Sequence, residues 1–417
     1  MKKLLVVFLA IMSFMSSYAQ INVAKDFSFK MYGQVRTDIY YNSRENNQSV
    51  DGLFYMYPKD EFLDPNGKDL NASANSNMYA VYSRIGFDIA GPMLGKAKTT
   101  AKIEFDFRGQ SNDYLSLVRL RHAYFNLDWG KSKLLVGQTW HPFYGDVAPQ
   151  ILNLNMGAPF QPFGRAPQIR YRYQSGNVQW QAAALWQSQY KSYGPTAADG
   201  TGNSRVQQFH KNSNIPELAL GVDYKANGWI AGVGVDMLSI VPRTLSKMSD
   251  NSYKVDERIT TLSYEAHLKY TGEKLYFAAK STLGANMTHI SMTGGYGIKS
   301  VDAVTGKREY TAFRNSSTWV NIAYGKKWKP ALFLGYMKNL GTEDELIDST
   351  VYGTGANLDK LMSGTFELTY NVPHWKIGAE YNYTSAWYGK NNLKNGKVED
   401  THAVGNNRLV LSALYTF

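Results

Sequence analysis

The sequence contains no cysteine. That excludes a disulfide framework, thiol catalysis and a lipid-attachment residue behind an export signal. Charge is sparse. Asp, Glu, Lys and Arg make up 19% of the 417 residues, against about 25% in an ordinary soluble domain. Past the first twenty residues no apolar run approaches the ~20 residues that a membrane helix needs. No repeat of about 40–50 residues indicates propeller blades. The histidines, His122, His141, His210, His267, His289, His374 and His402, are scattered without metal spacing, and no nucleophile motif accompanies them. Gly232-Val-Gly234 falls inside a strand pattern and is no phosphate loop. No enzyme, cofactor or metal is expected.

What is present is aromatic and interrupted. Tyr numbers 30, Phe 19 and Gly 36, yet the large apolar residues do not run together, so the chain has to alternate. The exception is the start, MKKLLVVFLAIMSFMSSYAQ. Lys2 and Lys3 precede a short apolar stretch, and Ser17-Tyr18-Ala19 offers small residues at the positions that signal peptidase reads. Residues 1–19 read as a secretory signal peptide, and residues 20–417 as one domain. Losing Lys2 and Lys3 lowers the formal charge from +11 to +9. Export makes nucleic acid an unsuitable partner for that charge and leaves an anionic surface or an anionic solute.

The alternation has a period of two. Phe27, Phe29, Met31, Gly33, Val35, Thr37, Ile39 and Tyr41 interleave with Ser28, Lys30, Tyr32, Gln34, Arg36, Asp38 and Tyr40. Such a strand exceeds the ~5–6 residues usual in soluble sheets and suffices for a tilted bilayer crossing, which takes ~9–11. The pattern recurs at 97–109, 257–271 and 374–386. It ends in NNRLVLSALYTF, where Leu409, Leu411, Ala413, Tyr415 and Phe417 share a face. A last amphipathic strand ending in Phe resembles the assembly signal of bacterial outer-membrane barrels.

Short turns at 91–96, 129–132, 175–177, 225–228, 271–273, 325–329 and 371–373 alternate with loops at 42–76, 110–114, 141–166, 190–216, 241–256, 288–316, 340–361 and 387–404. This asymmetry predicts an all-β fold: a sixteen-stranded antiparallel transmembrane β-barrel with short periplasmic turns and long extracellular loops. In the 288–316 loop a hairpin is expected around Thr305-Gly306. A TonB-dependent transporter would need a plug and about twenty-two strands, for which the chain is too short.

In such a barrel an arginine on the lipid face costs ~2–4 kcal/mol at the midplane, whereas the lumen tolerates it. Arg119 and Arg121 in VRLRHAYFNLDWG, and Arg170 and Arg172 in QIRYRYQSG, should therefore face the lumen. Between Lys96 and Arg172 stand eleven basic and five acidic residues, and the strands that carry them are neighbours. Arg119, Arg121, Arg170, Arg172, Arg108, Lys102 and Arg165, extended by Arg84 and Arg36, are the candidate pore-lining, anion-binding residues. Rings of Arg and Lys select anions in pores, and arginine's fork suits carboxylate and phosphate. The other reading is an internal network with acids on nearby strands. One strand conflicts with this scheme: Arg119 and Arg121 share parity with Phe125 and Trp129. Either a bulge near His122 flips the register, which is the expectation here, or this strand packs against a sister subunit instead of lipid. The 141–166 loop, apolar and rich in Pro and Gly, suits a segment folded inward to narrow the pore, with an interface between subunits as its alternative. It offers only Asp146, with Arg165 at its far end.

The stretch LVRLRHAYFNLDWGKSKLLVGQTW at 117–140, with its RLRHAY core and its Gly137-Gln138-Thr139-Trp140 end, resembles the DcaP-like family of outer-membrane porins, as does the basic partner strand IRYRY. The match is strongest over residues 80–175. The resemblance implies sixteen-stranded trimeric channels that take up small anions such as dicarboxylates, with Arg119, Arg121, Arg170 and Arg172 at the matching positions. Some members carry an N-terminal coiled coil. Here about six residues precede the first strand, so trimerisation is expected to rest on the barrel wall. The expected function is passive diffusion of small hydrophilic solutes, with anions preferred. Outer-membrane lipid and lipopolysaccharide are the expected surroundings, and a homotrimer the expected assembly. A non-selective or carbohydrate-passing porin and an adhesin-like surface barrel are the alternatives.

Overall fold

Alternating apolar and polar residues leave an isolated strand with one face that water will not solvate and two unpaired edges. Closing a sheet on itself inside a membrane resolves both problems. The computed structural model describes residues 20–24, 26–109 and 114–417. The signal-peptide reading and most of the 110–114 loop lie outside the described residues.

Sixteen strands form the wall. They are β1 Phe27–Asn42, β2 Arg84–Leu94, β3 Ala97–Asp106, β4 Arg119–Asp128, β5 Ser132–Trp140, β6 Arg165–Ser175, β7 Val178–Leu185 and β8 Glu217–Ala226. There follow β9 Trp229–Ile240, β10 Ile259–Thr271, β11 Leu275–Ala285, β12 Arg308–Tyr324, β13 Trp328–Gly341, β14 Leu358–Val372, β15 Trp375–Asn391 and β16 Val398–Thr416. Each pairs antiparallel with its neighbours in sequence. The sheet closes where β1 meets β16, from Gln34 opposite Thr416 to Asn42 opposite Arg408. The short segment Asn75–Tyr79 continues β2 along β1.

The faces follow the sequence. On β1, Val35 and Ile39 are exposed on the outside, while Asp38 and Tyr40 are buried inside. Leu409 and Leu411 on β16 point out, and Arg408, Val410 and Ser412 point in. All seven short turns fall where the sequence places them. The long connections are more ordered than expected. β12, β15 and β16 run to 17, 17 and 19 residues, beyond a bilayer crossing of ~9–11, and take up parts of the 288–316 and 387–404 loops. The hairpin around Thr305-Gly306 is present, with Val301 opposite Arg308.

The register conflict on β4 is settled by a bulge. Glu104 pairs with His122 and Phe105 with Leu120, so Arg121 has no partner of its own. Arg119, Arg121 and His122 are all buried in the lumen, whereas Leu120 and Phe125 are exposed on the outer face. Opposite, Gly137 of β5 faces Tyr124 with φ of +127°.

The largest buried cluster lies within the lumen. Val147, Ile151 and Phe160 of the 141–166 loop pack there on Tyr276, Trp319, Phe333 and Met337 of the wall. The apolar loop thus covers a part of the lumen wall that would otherwise face water.

Candidate functional site in the lumen

The 141–166 loop leaves β5, crosses the lumen and returns to β6. The far wall holds it by its main chain. Glu380 on β15 accepts the N–H of Leu152 at 2.7 Å and of Asn153 at 3.0 Å. Asn321 on β12 accepts Gln150 N–H at 2.8 Å, and Tyr276 donates to Ala148 O at 2.6 Å. Lys280 donates to the carbonyls of Phe143 and Tyr144. Arg36, from β1, donates to Leu152 O at 2.5 Å. The wall's polar side chains thus satisfy a buried loop backbone that has no sheet partner.

All nine basic residues singled out in the sequence lie on the lumen side, but they divide into two kinds. Five are neutralised. Arg119 grips Asp106 with both prongs, at 3.0 and 2.6 Å. Arg121 donates to Glu104 at 2.6 Å and to Asp106 at 2.8 Å. Arg84 stands 3.7 Å from Glu104, Arg36 pairs with Asp38 at 2.7 Å, and Lys102 with Asp88 at 2.9 Å. The internal network considered from sequence is therefore real for these residues. Arg172 is held more loosely, 3.9 Å from Asp146.

Three have no carboxylate partner among the described residues: Arg108, Arg165 and Arg170. Arg165 is buried against Trp140, Phe163 and Tyr190, with its guanidinium carbon 4.6 Å from the Trp140 ring centre. Its Nε and Nη1 have no hydrogen-bond partner. Arg108 lies 5.0 Å over Phe54, and its Nε also has no partner among the described residues. Arg170 donates to Gln168 Oε1 at 2.8 Å and to Trp140 O at 2.5 Å. An unpaired buried charge is costly. Aromatic faces and carbonyls offset part of that cost, and an anion would offset more.

Arg36, Arg84 and Arg121 surround the Tyr82 ring at 5.0–5.5 Å. Trp140, stacked on Tyr144 at 4.0 Å, lies between Arg121 and Arg165. Above this cluster opens a cavity of about 250 Å³. Arg108, Arg119 and Arg205 line it, together with Phe54, Tyr57, Tyr190 and Tyr193, and no acid among the described residues does. Tyr190, in the connection after β7, reports the field. Burial pushes its phenol up, but Arg165, Arg119, Arg108 and Arg121 outweigh burial and hold it below the ordinary tyrosine value.

Lys102, Arg170 and Arg172 belong to the lower lumen. There Asp146, the loop's single acid, meets Arg172, Lys225 at 2.9 Å and the Lys269 ammonium, which donates to the Asp146 carbonyl. Burial raises the Asp146 carboxyl, yet Arg172 and Lys225 hold it down at about 2. The sequence reading missed Lys225, Lys269 and Lys280, because they stand on the opposite wall. The parity of Lys269 with Glu265 and His267 was the available signal. It also missed Glu380, whose loop partners lie more than two hundred residues away.

The closed sixteen-stranded wall, the apolar exterior and the polar lumen crossed by an inward loop define a porin-type outer-membrane barrel. No protein-family model matches the chain, and no curated protein sequence matches it either. Solved structures do match. The outer-membrane channel DcaP of Acinetobacter baumannii superposes with a TM-score of 0.68 at 19% identity, covering 96% of this chain and 100% of that one. The outer-membrane protein OmpT of Vibrio cholerae gives 0.56 at 12% identity over 96% of this chain and 100% of that one. An anion-selective porin from Comamonas acidovorans gives 0.53 at 10% over 94% and 100%. The chain has the fold of the bacterial outer-membrane porins, and the resemblance read from RLRHAY and IRYRY is matched in architecture by DcaP.

Proposed function

We propose that this protein is a channel of the Gram-negative outer membrane through which small hydrophilic solutes diffuse passively, and that it prefers anions. The observation that carries this reading is the set Arg108, Arg165 and Arg170: buried guanidinium groups without a carboxylate among the described residues, with Arg108 lining a cavity that no described acid lines and Arg165 packed on Tyr190 at its edge. A small carboxylate or phosphate entering from outside meets donors already desolvated and already aimed. The five paired residues, Arg119, Arg121, Arg84, Arg36 and Lys102, act as scaffold for that field rather than as free ligands. One structural neighbour bears the name anion-selective porin and another was solved as a trimer. We take this chain, too, as a homotrimer in a lipid and lipopolysaccharide membrane, with its mature chain starting after the signal segment at 1–19.

The test is the reversal potential of the purified protein in a planar bilayer under a potassium chloride gradient. The native channel should favour chloride. Changing Arg108, Arg165 and Arg170 together to Gln should abolish the preference while conductance persists. An open native channel with no preference would refute the anion reading and leave general diffusion.

A further inference from the structure

His141 is the first residue after β5, where the inward loop begins, and His289 sits in a single 3-10 turn, Thr288–Ile290, after β11. The two are far apart in sequence and looked unrelated there, a reading the fold corrects. Both aim Nε2 at one oxygen, Glu217 Oε1, at 3.0 and 2.6 Å. Glu217 opens β8. A second carboxylate, Asp236 on β9, brings Oδ2 to 3.6 Å from His141 Nε2. All four side chains are at most 2% exposed. The donor atoms of His141, Glu217 and His289 lie within 4.8 Å of one another.

Hydrogen bonding accounts for Glu217 and His141 but not for every polar atom of Asp236 and His289. Among the described residues, Asp236 Oδ2 is buried without a hydrogen-bond partner and stands 3.6 Å from His141 Nε2, and His289 Nδ1 is likewise unpartnered. Two carboxylates side by side in a dry site repel each other, and each is costly to desolvate. A dication would neutralise both, with the imidazoles as neutral ligands. Two nitrogen and two oxygen donors with room to close around one ion suit a tetrahedral site, whose donor atoms stand about 3.3 Å apart. Hard cations of the calcium type favour all-oxygen sets of six to eight ligands, which this site does not offer.

We propose that His141, His289, Glu217 and Asp236 form a binding site for zinc or a similar borderline transition-metal dication, which fastens the root of the inward loop to the barrel wall. One consequence is local. The Phe143 N–H donates to His141 Nδ1 at 3.1 Å, so in the metal-free protein His141 carries its proton on Nε2 and gives it to Glu217. An ion at Nε2 moves that proton to Nδ1, and the Phe143 amide must turn away. The metal and the first turn of the loop are thereby linked. Carboxylate and neutral imidazole are the required donor forms, so affinity falls as pH is lowered.

The experiment is equilibrium dialysis of the untagged, folded barrel against zinc chloride, with bound zinc read by elemental analysis. A stoichiometric ion is expected in the native protein. It should be lost in His141→Ala and His289→Ala and retained in His402→Ala, which alters an exposed histidine outside the cluster. Asp236→Asn should weaken binding by about ten- to a hundredfold. Glu217→Gln keeps the side chain's shape, and a heat-shift gel establishes that each variant is folded. Cobalt in place of zinc should give visible tetrahedral absorption that vanishes in Glu217→Gln. Native protein that retains no more zinc than the folded His141→Ala and Glu217→Gln variants would overturn the assignment.

Discussion

Glu380 lies across the lumen from the root of the inward loop, and its Oε2 accepts the Leu152 N–H at 2.7 Å. The same oxygen accepts Asn153 N–H at 3.0 Å. One carboxylate on β15 thus satisfies two successive amides at the loop's far end. Glu380→Ala leaves both buried and unpaired, at about 1–3 kcal/mol each. The variant should be less stable to denaturant, and its single-channel current should become larger and noisier as the loop leaves the wall. Native-like current would mean that the apolar contacts of Val147, Ile151 and Phe160 hold the loop without this anchor.

The paired and unpaired arginines should respond in opposite ways. Asp106 neutralises Arg119 and part of Arg121 in a site where all three are buried. Asp106→Asn strands a buried charge, costing about 3–5 kcal/mol, and adds net positive charge, so the channel should become less stable and more anion-selective. Arg165→Gln removes a charge that has no carboxylate partner. It should lower anion selectivity while stability holds or rises. Reversal potentials and unfolding midpoints measured on both variants check the pair. Parallel losses of stability would show that Arg165 has a partner in solution.

Most of the wall could be read in the sequence, because alternation, turn residues and strand length are local properties. Even the bulge followed from local parity, since Arg121 and Phe125 cannot share a face across a membrane barrel. The state of the arginines could not be read without register. Glu104 and Asp106 are two apart on β3, and Arg119 and Arg121 are two apart on β4. Only with the bulge counted does Asp106 fall opposite Arg119, which turns a bare basic wall into a largely compensated one. The loop anchors Glu380 and Lys280 and the His141–Glu217–His289 group join residues 72 to 228 positions apart. No spacing rule reaches that far.

The strand that flanks the bulge on its other side makes a prediction at Gly137. Its φ of +127° disfavours any L side chain, and a Cβ there would stand 2.2 Å from the Ala123 carbonyl oxygen. Gly137→Ala has to unmake the β4–β5 contact at Tyr124, two residues past His122, at a cost of about 1–3 kcal/mol for the backbone alone. The folded yield on a heat-shift gel should drop. Gly364→Ala on β14, where the nearest atom is 3.8 Å away, should fold as well as the native chain. Equal yields for both would mean that the β4–β5 ladder relaxes to admit a side chain at position 137.

Tyr190 should make anion preference depend on alkaline pH. The phenol is neutral when protonated and negative when not. Burial disfavours the phenolate, but Arg165, Arg119, Arg108 and Arg121 favour it more, so its value lies below the ordinary tyrosine value of about 10. Raising the pH through that lowered value places a negative charge among the guanidinium groups at the cavity. Chloride preference should therefore fall in a step below pH ~10, where unperturbed tyrosines are still protonated. Tyr190→Phe should retain the preference across the same range, because it keeps the ring that Arg165 faces and removes the proton. Reversal potentials of both proteins, titrated from neutral pH upward at low salt where screening is weak, decide the matter. Superimposable curves would mean that the four arginines do not act together on Tyr190, and would weaken the case that their fields converge at the cavity.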